Sequence, residues 1–131
     1  MNTNGGANRD DSPEASIAAA ANMLSSEVGE EGTVEIFELF VRDARARAEE
    51  AARAHVAEDA PALHRAAHTF ASVCRTVGAI QYATILEELE DRAQAGDLAA
   101  SEPLVIKTLD LLPEVIALVE REMARLREKV G

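Results

Sequence analysis

The spacing of the apolar residues constrains the fold most strongly, because they recur every three or four positions through most of the chain. Between Thr33 and His55 this apolar set is Val34, Phe37, Phe40, Val41, Ala44, Ala48 and Ala51. Such a period is typical of an amphipathic α-helix that buries one face. Aromatic residues make up only 3% of the chain, whereas the strong helix formers Ala, Leu, Glu and Arg are abundant. We therefore expect an all-α fold.

Breaks in this pattern divide the chain into one short helix and four long ones. The predicted helices are Pro13–Leu24, Thr33–His55, Asp59–Val77, Ala79–Ala95 and Ser101–Lys129. Asp59 is expected to cap its helix, and Pro113 is expected to kink or split the last one. Short connections between amphipathic helices favour an antiparallel up-down four-helix bundle, here with a short extra N-terminal helix.

Two regions are expected from the composition along the chain. Residues 1–12 are polar and contain no apolar anchor, so we expect a disordered tail there. Residues 13–131 have the length of one domain with one core. The predicted core is Phe37, Val41, Leu63, Phe70, Val77, Leu86, Leu89, Val115 and Leu126. Cys74 falls on the same apolar side, and His55 is expected to pack or to cap the end of its helix.

The formal net charge of −11 disfavours several classes of partner. An acidic surface repels phosphate backbones and anionic lipids, so we expect neither nucleic acid nor membrane as a partner. No glycine-rich phosphate loop and no Ser/His/Asp arrangement is visible, so we expect no cofactor and no autonomous kinase activity. The polar N-terminus does not resemble a secretory signal, and charges interrupt every apolar stretch. These features predict a cytoplasmic protein.

The helix predicted over Asp59–Val77 carries the chemistry. A wheel with about 100° per residue, centred on Phe70, gives an apolar stripe of Leu63, Ala66, Ala67, Val73, Cys74 and Val77. His68 falls nearly opposite that stripe, and the same outward side holds His64, Arg65, Ser72 and Arg75. An exposed imidazole is largely neutral near pH 7, so its ring nitrogen can act as a nucleophile. The small Ala71 and Ser72 leave the ring open to a partner.

The segment LHRAAHTFASVCRTVGA, Leu63–Ala79, resembles the signature of histidine phosphotransfer (HPt) domains of bacterial two-component phosphorelays. The matching positions are Ala67, His68, Phe70, Gly78 and Ala79. The flanking stretches EVGEEGTVEIFELFVRDA and LEELEDRAQAGDL resemble the family's neighbouring helices, so the resemblance begins near Ser25. It implies that His68 accepts a phosphoryl group from a receiver-domain aspartate and passes it to another receiver. The implied partners are response-regulator receiver domains and a hybrid histidine kinase.

The sequence departs from the family pattern beside the histidine. Where the family usually has Lys and Gly, this chain has Ala71 and Ser72. We expect Ala71 to face solvent, and we expect Arg65 and Arg75 to screen the phosphoryl charge. The predicted site is therefore His68 as phospho-acceptor, with a phosphate and partner surface of His64, Arg65, Ala71, Ser72 and Arg75.

Three alternatives to phosphotransfer remain open at this point. A degenerate module could bind receivers, or serve as a helical interaction domain, without carrying phosphate. His68 could be a surface histidine without a role. His64 and His68 have the i, i+4 spacing of two metal ligands on one helix face, although no third ligand stands at an obvious spacing. The positive charge of Arg65 and Arg75 on that face argues against a metal.

Overall fold

The computed structural model describes residues 12–130, and all regular structure within them is helical. Four helices follow in chain order: α1, Pro13–Val56; α2, Ala60–Thr76; α3, Ile80–Gln94; and α4, Leu98–Val130. Helix α1 packs against α2 and α4, and α3 packs against the same two helices. The all-α expectation is confirmed. The predicted tail lies outside the described residues except for Ser12.

Helix α1 joins the two helices that the sequence separated. Ser12 caps it, because its side chain accepts a hydrogen bond of 3.1 Å from the Ala15 amide. The helical course is interrupted at Gly29, whose φ of 81° places it in the left-handed region. Thr33, fully buried, donates its hydroxyl hydrogen to the Gly29 carbonyl at 2.8 Å. The gap between the two predicted helices is thus a kink at a single residue.

The turn between α2 and α3 is held by the first segment of α1. Gly78 has a φ of 83°, and a Cβ built on it would lie 2.4 Å from the Ser16 carbonyl oxygen. Ser16 also donates its hydroxyl hydrogen to the Gly78 carbonyl at 2.7 Å. Only a residue without a side chain allows this approach. The segment before Gly29 therefore packs directly onto the end of α2.

Helix α4 begins three residues earlier than predicted and continues past Pro113. Asp97 accepts a hydrogen bond of 3.0 Å from the Ala100 amide, which fixes the start of the helix before Ser101. The expectation of a split at Pro113 is wrong, because the helix is continuous from Leu98 to Val130. Pro113 lies on the exposed side, while Leu112 and Val115 beside it stay buried against the bundle. Tertiary packing on both sides of the proline maintains the helix.

The core is centred on three aromatic rings. Phe70 of α2 stacks on Phe40 of α1 at 6.3 Å between ring centroids, and it meets Tyr82 of α3 edge to face at 5.6 Å. The Tyr82 hydroxyl donates to the buried Thr108 carbonyl of α4 at 2.5 Å. Thus one aromatic group connects all four helices. Every predicted core residue is buried except Val41, which packs half-buried at the edge.

Two further expectations about individual residues can be compared with the structure. Cys74 is fully buried, and burial raises the pKa of its thiol far above its ordinary value. His55, half-buried at the end of α1, donates from Nε2 to the Leu98 carbonyl at 3.0 Å, so it joins α1 to the start of α4. Both residues have the packing roles that were expected of them.

No helix among residues 12–130 is long and apolar enough to cross a membrane.

Candidate functional site

His68 lies in the middle of α2, where the backbone on both sides is helical. Its side chain is 66% exposed, so the ring is open to a partner. Its Nδ1 atom lies 2.8 Å from Oε2 of Glu90 on α3. A carboxylate can only accept a hydrogen bond, so in the neutral ring the proton sits on Nδ1. Nε2 then carries the lone pair and is the nucleophilic atom.

Glu90 contacts both histidines of the predicted site. While its carboxylate accepts from His68, its backbone carbonyl accepts from His64 Nδ1 at 3.2 Å. The two imidazole rings stack with 6.3 Å between centroids and 19° between planes. The Glu90 side chain is only 20% exposed, which restricts its motion. His64 is half-buried beside it, so the two histidines differ in access although both lie on the predicted outward side.

Arg75 is engaged in an ion pair across the helix interface. Its Nε and Nη2 atoms lie 2.5 and 2.7 Å from the two carboxylate oxygens of Glu87 on α3. This bidentate hydrogen bonding lowers the pKa of Glu87 and raises the pKa of Arg75. The charge expected to screen a phosphoryl group is therefore partly neutralised by Glu87. Arg65 is exposed and forms no ion pair with any residue between 12 and 130.

The expectation that Ala71 faces solvent is wrong. Ala71 is 3% exposed and belongs to the core, while the neighbouring Ser72 is exposed as predicted. A helical wheel centred on Phe70 assumes one buried direction, but α2 packs against both α1 and α3. With two partners the buried arc widens until it includes Ala71. The position where the family usually has Lys is here a small buried residue.

The sequence did not identify the acidic residues of α3. Glu87 and Glu90 are spaced i, i+3 and lie off the apolar stripe, which places them on one side of a helix. That spacing was the available signal, but it could not indicate that this side faces His68. Within residues 12–130, no three His, Cys, Asp or Glu side chains come together as a metal site. Both histidines direct Nδ1 at Glu90 instead.

The fold and this site define a helical domain with an exposed, hydrogen-bonded histidine, and comparison with known proteins identifies its family. The model of the Hpt domain family matches residues 35–129. The chain belongs to this family, and its function is histidine phosphotransfer in phosphorelay signalling. Among curated proteins, none matches the chain significantly.

A solved structure is similar over most of the chain. It is histidine-containing phosphotransfer protein B (HptB) from Pseudomonas aeruginosa PAO1, which is 29% identical in sequence and superimposes with a TM-score of 0.75. The match covers 82% of this chain and 92% of HptB. Most of the length of HptB is thus matched, and the four helices described above correspond to a known phosphotransfer fold.

Proposed function

We propose that His68 is the phospho-acceptor of this Hpt protein, taking a phosphoryl group from a receiver-domain aspartate and passing it to another receiver. The observation that carries the proposal is the 2.8 Å hydrogen bond from Nδ1 of an exposed His68 to Glu90. It leaves Nε2 with the lone pair and holds the ring in one orientation. A nucleophile whose proton and orientation are both fixed is prepared for in-line attack.

In the proposed transfer, one bond to phosphorus is exchanged for another. The Nε2 lone pair attacks phosphorus, a P–N bond forms, and the P–O bond to the receiver aspartate breaks with the electron pair going to the carboxylate. The ring becomes positively charged, with its proton still on Nδ1. Glu90 accepts that proton's hydrogen bond and stabilises the positive ring through a charge-assisted contact. Return transfer to a second receiver is the reverse of these steps.

The proposal distinguishes His68 from His64. Both donate from Nδ1 to Glu90, but His64 is half-buried and contacts only the backbone carbonyl, which carries no full charge. A positive ring is stabilised less by a carbonyl than by a carboxylate. His68 is also the position that matches the histidine of the family signature.

The experiment is incubation with a phosphorylated receiver, followed by assay for acid-labile, base-stable phosphate. We expect His68→Gln to abolish labelling without a loss of stability, because the ring is exposed. His64→Gln is the matched control and should retain at least partial transfer. Label lost in His64→Gln but kept in His68→Gln would contradict the assignment. Absence of label in the wild type with several receivers would favour the receiver-binding, non-phosphorylated alternative, which the buried Ala71 and the paired Arg75 make worth testing.

We propose further that residues 13–131, the last of which lies outside the described residues, form one unit, an antiparallel up-down bundle with the segment before Gly29 as an extra N-terminal helix. Support comes from the packing of each helix against the next, of α4 against α1, and from connections of only residues 57–59, 77–79 and 95–97. The partners in this proposal are response-regulator receivers and a hybrid histidine kinase. Its location would be the cytoplasm, where the unpaired Cys74 would stay reduced.

A further inference from the structure

The surface around His68 has opposite charge on its two sides. On the α3 side, the Glu90 carboxylate accepts a hydrogen bond from His68, and the Glu87 carboxylate is paired with Arg75. On the α1 side, a cleft of about 490 Å³ lies between the C-terminal half of α1 and the N-terminal half of α2. Arg47, Arg53 and Arg65 line it, and so does Thr69, the residue that follows His68.

The arginines of this cleft are available to a partner. Arg53 and Arg65 are exposed and form no ion pair within the described part of the chain. The one ion pair of Arg47 among the described residues is with Asp43, at 4.0 Å, and that carboxylate is held more closely by Arg42 at 3.0 Å.

Two acidic residues also line the cleft, and they leave an excess of positive charge. Asp59 accepts a hydrogen bond of 3.1 Å from the Ala62 amide as the cap of α2, and Glu50 is exposed. Three arginines against two carboxylates give the cleft a formal charge of +1. The whole chain carries −11, so this local sign is the reverse of the surrounding field.

The line along which α1 and α2 meet, here called the α1–α2 seam, is more apolar towards the C-terminus of α2. Arg47 borders a second groove of about 260 Å³, whose lining includes Ile36, Leu39 and Val73. Leu39 is 49% exposed, so this groove presents an apolar side chain to solvent. A partner lying along the seam would therefore meet apolar surface at one end and arginines at the other, with His68 beside it.

We propose that Arg47, Arg53 and Arg65 select and orient the phosphotransfer partner, which is a receiver domain with acidic residues beside its phosphorylated aspartate. The inference rests on the proposed function of His68 and adds the side from which the receiver approaches. On the α3 side an acidic rim meets the Glu90 carboxylate and the mutually neutralised Arg75–Glu87 pair, whereas in the cleft it meets arginines in excess of carboxylates. The receiver therefore sits over the α1–α2 seam and not over α3. Charges at the rim of an interface act mainly on association rate and on its dependence on salt.

The test uses the full chain with Arg53 and Arg65 both changed to Glu, and it measures binding and transfer separately. Binding of an unphosphorylated acidic-rimmed receiver is measured by titration calorimetry at low and high salt. The controls are Arg92→Glu on α3 and Arg121→Glu on α4, both exposed and outside the cleft. We expect R53E/R65E to weaken binding about tenfold at low salt, with a smaller effect at high salt, while each control stays close to wild type. Thermal unfolding of each variant confirms that the fold is retained.

A reciprocal change identifies the partner of the arginines. Acidic-to-lysine substitutions on the receiver rim should restore binding to R53E/R65E and weaken binding to the wild type. Equal binding by R53E/R65E and the wild type would overturn the inference, as would a loss confined to Arg92→Glu. Binding of inorganic phosphate to the arginines without any change in receiver affinity would also overturn it.

Labelling with phosphoramidate, a small phosphoryl donor that needs no docking surface, separates this inference from the proposed function. R53E/R65E should be labelled as fast as the wild type, since His68 and Glu90 are unchanged. Absence of label in both proteins would refute phosphotransfer by His68, while the calorimetric comparison would still decide the docking surface.

Discussion

At His68, the choice of reactive nitrogen depends on a residue 22 positions later in the chain. Glu90 keeps the proton on Nδ1 and offers negative charge to the ring when it becomes positive. This arrangement makes Glu90 a positioning residue, because in the proposed transfer it acts through His68.

Substitution of Glu90 tests this role. Glu90→Ala removes both acceptor and charge, and we expect a transfer rate about tenfold lower, since a charge-assisted hydrogen bond is worth about 1.4 kcal/mol or more. Glu90→Gln keeps an acceptor oxygen without the charge, so its transfer rate should lie between those of Glu90→Ala and the wild type. Nitrogen-15 NMR of the His68 ring should show a mixture of tautomers in Glu90→Ala. The exposed Glu88→Gln on the same helix is the control, and a wild-type rate in Glu90→Ala would contradict the role.

Ala71 shows how a substitution suggested by family resemblance can conflict with the packing of this chain. Ala71 is 3% exposed and lies on the side of α2 that faces the core, so Ala71→Lys would force a long charged side chain into packed space. We expect a loss of about 1–3 kcal/mol in unfolding free energy, measured by urea denaturation. Ser72→Lys, one residue away and exposed, should change stability by less than about 0.5 kcal/mol. Equal stability of the two variants would show that the space around Ala71 is larger than the structure indicates.

Much of the site could be predicted from residues alone. The exposure of His68 and Ser72 and the burial of Phe70 follow from the period of one helix. Glu90 and the pairing of Arg75 with Glu87 could not be predicted, because they depend on how α3 is rotated against α2. Ala71 was misplaced for the same reason. Periodicity gives the buried direction of a helix, but it does not give the number of helices that pack around it.

At the scale of the elements, Gly78 is the position that joins the first segment of α1 to the α2–α3 turn. Gly78→Ala requires a non-glycine residue at φ of 83° and puts a Cβ within 3 Å of Ser16 and Ala20 atoms. We expect the free energy of unfolding to fall by about 2–4 kcal/mol, which is the sum of the strain of a left-handed φ and of overpacking against the backbone.

Gly96→Ala is the matched control for that substitution. Gly96 has a φ of 74°, and no atom lies within 4 Å of a Cβ added there. The substitution should therefore lower the free energy of unfolding by the strain alone, about 1–2 kcal/mol. Both are measured by urea unfolding. Equal losses in the two variants would mean that the contact with Ser16 does not constrain the turn.

The helix boundaries were predicted best where a local signal is strong. Asp59 caps α2 as expected, and the turns at Gly78 and Gly96 end α2 and α3 within a residue or two of the prediction. The break predicted between two helices near Gly29 is present as a kink with a left-handed φ, although it is confined to one residue. The split at Pro113 was predicted wrongly, because packing on both sides keeps the chain helical past the proline. Such an outcome depends on tertiary contacts that single-helix patterns do not contain.

Across the whole molecule, the helices hold the exposed His68 ring on a rigid frame and distribute charge unevenly around it. The aromatic group of Phe40, Phe70 and Tyr82 fixes α1, α2 and α3 relative to one another, so His68 on α2 and Glu90 on α3 are held in contact by packed helices. The net charge of −11 repels acidic partners in general, and the arginine cleft beside His68 gives a receiver one favourable approach. The all-α class was predictable from composition and periodicity, whereas this charge asymmetry needed the packed helices.

The location of the phosphoryl group on the intact protein decides whether His68 is the phospho-acceptor. The chain, labelled with nitrogen-15 in histidine, is phosphorylated by a receiver and observed by NMR through the coupling between phosphorus and ring nitrogen. We predict coupling to Nε2 of His68 alone, with the proton still on Nδ1 and hydrogen-bonded to Glu90. Coupling to Nδ1 of His68, or to either nitrogen of His64 or His55, would contradict it.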